Sequence, residues 1–301
     1  MALNNPAFNN PAFQDPRAAQ NYPGGSQAAR QTQYAPPPPP TVATEAELEG
    51  KFVAPSAGAQ QTDRMTYEDT VYKTIGLFAI LLVGAAVGWV ATLGGISAAP
   101  RTPTSVLPML VGGLVGFVLS LVVIFTSRKK VRPGLIMAYA AFEGLFIGGI
   151  SAFFEVQWQG IVLQATLATL SVVGVTLALF ASGKIRASKR ATKIFMIAMI
   201  GYLVFSLVNV GLMLFNVPIA GGAFGLRSQL IFGIPLGLIL GVLVVIMAAY
   251  SLVLDFDQIQ QGVRNGAKRS FAWLGAFGIM VTVVWLYVEI LRMIAILRGS
   301  N

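Results

Sequence analysis

Apolar runs of some twenty residues or more alternate with short polar breaks along residues 70 to 297. The pattern predicts helices at about 70–94, 105–126, 134–155, 159–182, 192–216, 230–259 and 270–297. Each can cross about 30 Å of hydrocarbon at about 1.5 Å of rise per residue. The chain therefore reads as an all-α membrane protein, a seven-helix transmembrane bundle over residues 65–301, with its termini on opposite sides. "MTYEDTVYK" opens the first helix, where Thr66 with Asp69 three residues on fits a capping box with Asp in place of Glu. Pro235, near the start of helix six, allows a kink there. "YSLVLDFDQIQQG" (250–262) closes that helix, and Gly262 interrupts its pattern.

Residues 1–64 carry no such periodicity. "NNPAF" occurs twice in tandem, at 4–8 and 9–13, and five prolines follow at 36–40. Ala, Gln and Pro dominate, and such a segment buries too little surface to offset its chain entropy, so it reads as a disordered cytoplasmic tail. The proline run favours polyproline II, and the paired Asn-Pro-Ala-Phe copies suit a protein partner that reads short linear motifs.

Loop charge sets the orientation. Arg128, Lys129, Lys130 and Arg132 lie in the 2–3 loop; Lys184, Arg186, Lys189, Arg190 and Lys193 in the 4–5 loop; Arg264, Lys268 and Arg269 in the 6–7 loop. The other side shows Arg101, Arg227 and Arg298, twelve against three. The positive-inside rule then puts the N-terminus in the cytoplasm and the C-terminus outside, which suits a multi-pass protein of the plasma membrane.

Composition narrows the chemistry. Hydrophobic residues make up 55% of the chain and charged ones 11%, with a net charge of +9 and neither cysteine nor histidine. Disulfides, Cys/His zinc sites and Ser-His-Asp catalysis are excluded. No cofactor is expected, and the basic residues sit in loops between spans rather than on a nucleic-acid-binding face. Gly84/Gly88, Gly112/Gly116, Gly144/Gly148 and Gly237/Gly241 recur at a spacing of four, which lets helix backbones approach closely in lipid.

After Asp69 the remaining 232 residues hold five acids: Glu143, Glu155, Asp255, Asp257 and Glu289. Glu155, beside Trp158 at the end of helix three, reads as a solvated interfacial charge. Glu143 lies ten residues after Pro133, about 15 Å deep. Glu289 lies inside "VVWLYVEILRMIAIL". A charge at mid-membrane costs roughly 3 kcal/mol, so such residues face a bundle interior or an aqueous cavity. Asp255 and Asp257 are about 200° apart on a helix, so one points inward and the other toward the cytoplasmic surface. Two readings compete for Glu289. It pairs with Arg292 one turn along, or it shares a proton with a helix-six acid, whose loss would drive the helices apart and expose a cation site.

"YAAFEGLFIGGIS" (139–151), "LVLDFDQIQ" (252–260) and "WLYVEILRM" (285–293) resemble the Bax inhibitor-1 family, the transmembrane Bax-inhibitor-motif proteins, and its bacterial members in particular. The resemblance covers roughly residues 66 to 298. It implies a seven-helix pH-sensitive calcium leak with helix seven as a central plug. Asp257 and Glu289 stand where the family carries its acidic sensor pair, and Glu143 where an acid lines the pathway. Two departures stand out: Glu289 replaces the usual Asp, and its separation from Asp257 is longer by about two helical turns. Residues 271 to 278 lying partly outside the bilayer would reconcile the spacing.

The first function expected is therefore a passive, proton-regulated leak of calcium or another cation, bound transiently, because five acids cannot supply a cage of six to eight oxygens. The alternative is a regulatory protein that modulates, or is handled by, a membrane-bound protease, as the resemblance to relatives associated with AAA proteases implies. An enzyme is not expected. An intramembrane aspartyl protease would need Tyr-Asp and Gly-x-Gly-Asp motifs, which are absent. No convincing repeat supports a secondary transporter.

Overall fold

The computed structural model describes residues 63–95, 105–215 and 222–299. Residues 1–62 of the tail, with the proline run, and Arg101 lie outside the described residues; Asp63 and Arg64, expected to be disordered with the tail, are described and pair with the 6–7 loop. Seven helices follow in order: α1 (Tyr67–Leu93), α2 (Leu107–Ser127), α3 (Pro133–Gln157), α4 (Ile161–Ala181), α5 (Lys189–Leu214), α6 (Leu236–Arg264) and α7 (Ala272–Gly299). All seven are long and apolar enough to cross a membrane.

The expected boundaries hold within a few residues except at helix six. There, Leu230–Ile231 (β1) and Ile234–Pro235 (β2) form a small antiparallel hairpin. Phe232 (φ 52°) and Gly233 (φ 81°) make the two-residue turn, a conformation that suits the twist of paired strands. Pro235 caps α6 from outside rather than kinking it. At the far end α6 runs through the buried Gly262 to Arg264.

Glycine contacts organise the first half of the bundle. Gly84 and Gly88 of α1 face Ala141, Gly144 and Leu145 of α3, while Gly144 and Gly148 face Leu81 and Ala85. On the other side of α3, Gly112 of α2 lies against Phe142 and Phe146. Lipid tails are as apolar as leucine, so helix association here depends on such close packing rather than on escape from water. A methyl group on Gly148 would run into the main chain at Ala85, which cannot yield as a side-chain tip could. Gly148→Ala should therefore destabilise the protein by about 1–3 kcal/mol, seen as an earlier thermal unfolding transition in detergent. Gly174→Ala, with nothing near its added methyl, is the neutral control.

The core has two parts. One gathers Leu77, Ile136, Leu274, Phe277 and Met280 toward the end with the three basic loops; the other gathers Phe154, Ile161, Leu286, Ile290 and Leu291 toward the opposite end. α7 contributes to both and is the most enclosed helix, while α5 is the least.

At the basic end the residues before α1 are stitched to the α6–α7 loop. Met65 N donates to Ala267 O at 2.7 Å and Arg269 N to Asp63 O at 2.8 Å. Thr66 caps α1 as expected, accepting from Asp69 N at 3.2 Å. The Asp69 carboxylate is paired with Lys73 and with Arg269 at 3.0 Å.

Glu155 is not the solvated charge its position suggested. Its two oxygens accept from Gly160 N at 2.6 Å and Val162 N at 3.0 Å, capping the start of α4, where the helix dipole favours an anion. Glu155→Ala should cost about 1 kcal/mol and speed amide exchange at residues 160–163 before other sites. Unchanged exchange there would contradict the capping role.

Candidate functional site

α6 and α7 run antiparallel. Gly237 meets Ile296, Gly241 meets Met293, and Gly275 meets Ile259. This register separates the two acids that the sequence suggested as a pair. Asp257 is level with the residues just after Gly275, and Glu289 lies about eleven residues, roughly 16 Å, further along α7. Asp257 and Glu289 therefore do not meet. The long spacing in sequence is expressed as axial distance, because α7 is one continuous helix from Ala272 with Leu274, Ala276 and Phe277 buried against its neighbours. Each acid has other partners: Asp257 accepts from Gln261 at 2.7 Å, and Glu289 is bound to arginines.

Toward the opposite end, Glu289 is 2% exposed and pairs with Arg292 on its own helix and with Arg227 at 3.5 Å. The Tyr202 hydroxyl of α5 donates to Glu289 at 2.7 Å and accepts from Arg292 at 2.7 Å and Arg227 at 3.1 Å. Ser206 accepts from Arg227 at 2.9 Å. Arg227 is itself 3% exposed, with its guanidinium over the rings of Tyr202 and Phe205. The pairing of Glu289 with Arg292, the plainer of the two sequence readings, is the one that occurs. Arg227 was counted among the basic residues of the far side, and nothing in its sequence neighbourhood reveals its burial.

The fold places Arg227 deliberately tightly. The segment Gly222–Ser228 folds back between α5 and α6. Asn209 of α5 accepts from Leu226 N at 2.8 Å and donates to Phe224 O. Gly225 adopts φ 60°, and a side chain there would strike Asn209. Gly237 at the start of α6 lets the Arg227 main chain come within 3.0 Å of where its Cβ would be.

Toward the basic end a second polar group lines the α6–α7 seam. Asp255 is 1% exposed, and Thr282 of α7 donates to it at 2.7 Å. Ser251, one turn earlier on α6, lies 3.3 Å from Thr282 Oγ1. Gln258, three residues after Asp255 and so on the same face, is 2% exposed, and neither of its amide atoms has a hydrogen-bond partner among the described residues. A buried amide left without partners costs about 1–3 kcal/mol, which makes this stretch a natural place for a water molecule or a passing ion. Of the two helix-six aspartates, Asp255 is the one that turns inward; Asp257, about 200° round the helix, is half-buried.

Glu143 joins neither group. Its Oε2 faces Gly116 of α2, 2.9 Å from where a Cβ would sit, and Tyr139 is its hydrogen-bonding neighbour. Tyr139 in turn packs edge-on against Phe277 of α7, with ring centroids 5.0 Å apart. The sequence reading missed Ser251, Gln258, Thr282, Tyr202, Ser206 and Arg227. Single polar residues inside apolar spans were the available signal for all but the last.

Among the described residues, seven apolar spans, one of them the enclosed, acid-bearing α7, define a multi-pass membrane protein. A family model described as "Bax inhibitor 1 like" matches residues 5–299, and the chain belongs to that family. The match begins well before residue 66 and so takes in most of the tail, including the Asn-Pro-Ala-Phe copies. No curated protein matches the chain.

Proposed function

We propose that the protein is a pH-sensitive cation leak, with calcium the ion its family resemblance implies, lying in the plasma membrane with its basic end in the cytoplasm. The observation that carries this reading is the buried pair Asp255 and Gln258 on α6, with the half-buried Ser251 one turn earlier and Thr282 of the central helix bonded to Asp255. A carboxyl group in a buried seam attracts a cation when ionised and closes around its proton when neutral. Asp257 lies nearer the basic end on another face of α6, and Glu289, held by two arginines, latches the opposite end.

The gating reading differs from a single proton shared between Asp257 and Glu289, whose separation rules out direct contact. Asp255 senses protons from within the seam. Opening at the far end requires the Arg227 segment to release α7.

Calcium flux into proteoliposomes, followed from mildly acidic to neutral pH, tests the proposal. Flux should exceed that of protein-free vesicles and rise with pH, as the acid ionises. Flux equal to that of empty vesicles at every pH would reject it.

A further inference from the structure

A groove of about 500 Å³ runs between α4 and α6 on the outside of the bundle. Val172, Val175 and Leu179 form one wall, Ile246 and Val253 the other, and Ile185 of the α4–α5 connection closes its basic end. The volume falls in the range, roughly 300–1,000 Å³, of pockets that take small apolar ligands. α5 does not fill the groove. At its basic end it is tied to α6 by Tyr250, whose hydroxyl bonds to Thr192 at 2.8 Å and to the Ser188 main chain.

The closing residue sits in a cluster of positive charge. Ile185 lies between Lys184 and Arg186, and Lys189, Arg190 and Lys193 follow; all five basic side chains are exposed. Among the described residues, none of them forms an ion pair with an acid. Arg186 donates to the neutral Gln260 at 2.9 Å and covers the Phe180 ring. No acidic residue occurs between Glu155 and Asp255. Topology alone accounts for a basic loop, but not for its position over the end of an apolar groove.

We infer that this groove and loop form a binding site for one anionic phospholipid, with an acyl chain between α4 and α6 and its phosphate on the Lys184–Lys193 cluster. The site is distinct from the α6–α7 seam, so the inference does not depend on the leak. Basic pockets between transmembrane helices recognise acidic headgroups, and each charge near the surface contributes about fivefold in binding.

The test offers phosphatidylglycerol and phosphatidylcholine to the detergent-purified full chain and reads retained lipid by native mass spectrometry. The wild type should retain phosphatidylglycerol at least about tenfold better. Combined Lys184→Gln, Arg186→Gln, Lys189→Gln and Arg190→Gln should abolish the preference. The matched control, Arg128→Gln, Lys129→Gln, Lys130→Gln and Arg132→Gln, removes the same number of charges from a loop away from the groove and should leave the preference intact. Val175→Trp fills the groove and should reduce retention of phosphatidylglycerol; Ile246→Trp on the facing wall serves if the first variant fails to fold. Equal retention of the two lipids by the wild type, or equal loss from both charge variants, would overturn the site. The second result would show general attraction to the basic face only.

Discussion

Glu289→Gln should lower stability by about 3–5 kcal/mol, the usual consequence of removing one partner from a buried ion pair. Among the described residues, the carboxylate is the only acid in a cluster holding two guanidinium groups. Without it, Arg227 keeps Tyr202, Ser206 and two ring faces as partners, none of which carries compensating charge. The loss should appear as an earlier thermal transition in detergent and as faster amide exchange in residues 222–228. Adding Arg227→Gln should recover much of the loss, because the second change removes the stranded charge. The non-additivity of the pair is the diagnostic quantity. Strictly additive losses, or a Glu289→Gln shift no larger than that of Arg298→Gln, would show that the cluster does not hold the Gly222–Ser228 segment to α7.

Asp255→Asn should reduce calcium flux near neutral pH by about tenfold or more and flatten its pH dependence. A hydrogen bond or contact to a charged group is worth about 1.5–3 kcal/mol, and about 1.4 kcal/mol corresponds to tenfold. The amide keeps the shape of the acid and can still accept from Thr282, so packing of the seam should survive. What it lacks is the ability to ionise. The sign follows: the wild-type acid gains charge as pH rises, so its flux rises, whereas the variant stays at the low-pH level. Asp257→Asn should have a smaller effect, since Asp257 is half-buried and bound to Gln261 on its own helix. A larger effect from Asp257→Asn than from Asp255→Asn would return the sensor role to the acid that the family resemblance favoured.

These predictions separate latch from sensor. Glu289 acts through the arginines that fix a loop between α5 and α6; its loss is read in stability and local exchange. The role proposed for Asp255 lies within the seam and is read in flux. A common phenotype in all assays would argue that the two clusters move as one unit along the rigid α7.

Much of the architecture was legible because lipid imposes few solutions. Backbone polar groups must be satisfied within each span, so apolar runs of sufficient length become helices. The glycines at a spacing of four announced close contacts, and all four pairs lie at them. Helix six was the exception. Its apolar character continued through Leu230–Ile234, but Phe232 and Gly233 turned the chain into a hairpin, a local choice that hydrophobicity does not encode. Gly262 failed as a stop for the opposite reason: its neighbours give α6 a buried face through the last turn.

The sequence by itself determined the seven spans, the uneven distribution of basic loops and the small set of acids placed where charge is costly. It also limited the chemistry, since neither cysteine nor histidine is present. Only the tertiary structure decided which acids meet which partners. The register of α6 on α7 set Glu289 about 16 Å from the level of Asp257, and the fold-back of residues 222–228 carried an arginine from a distant loop to it. Periodicity specifies the face of a helix on which a residue lies. It does not specify the axial offset between two helices, which depends on how their side chains interlock; in this protein that offset separates one expected acidic pair into two distinct sites.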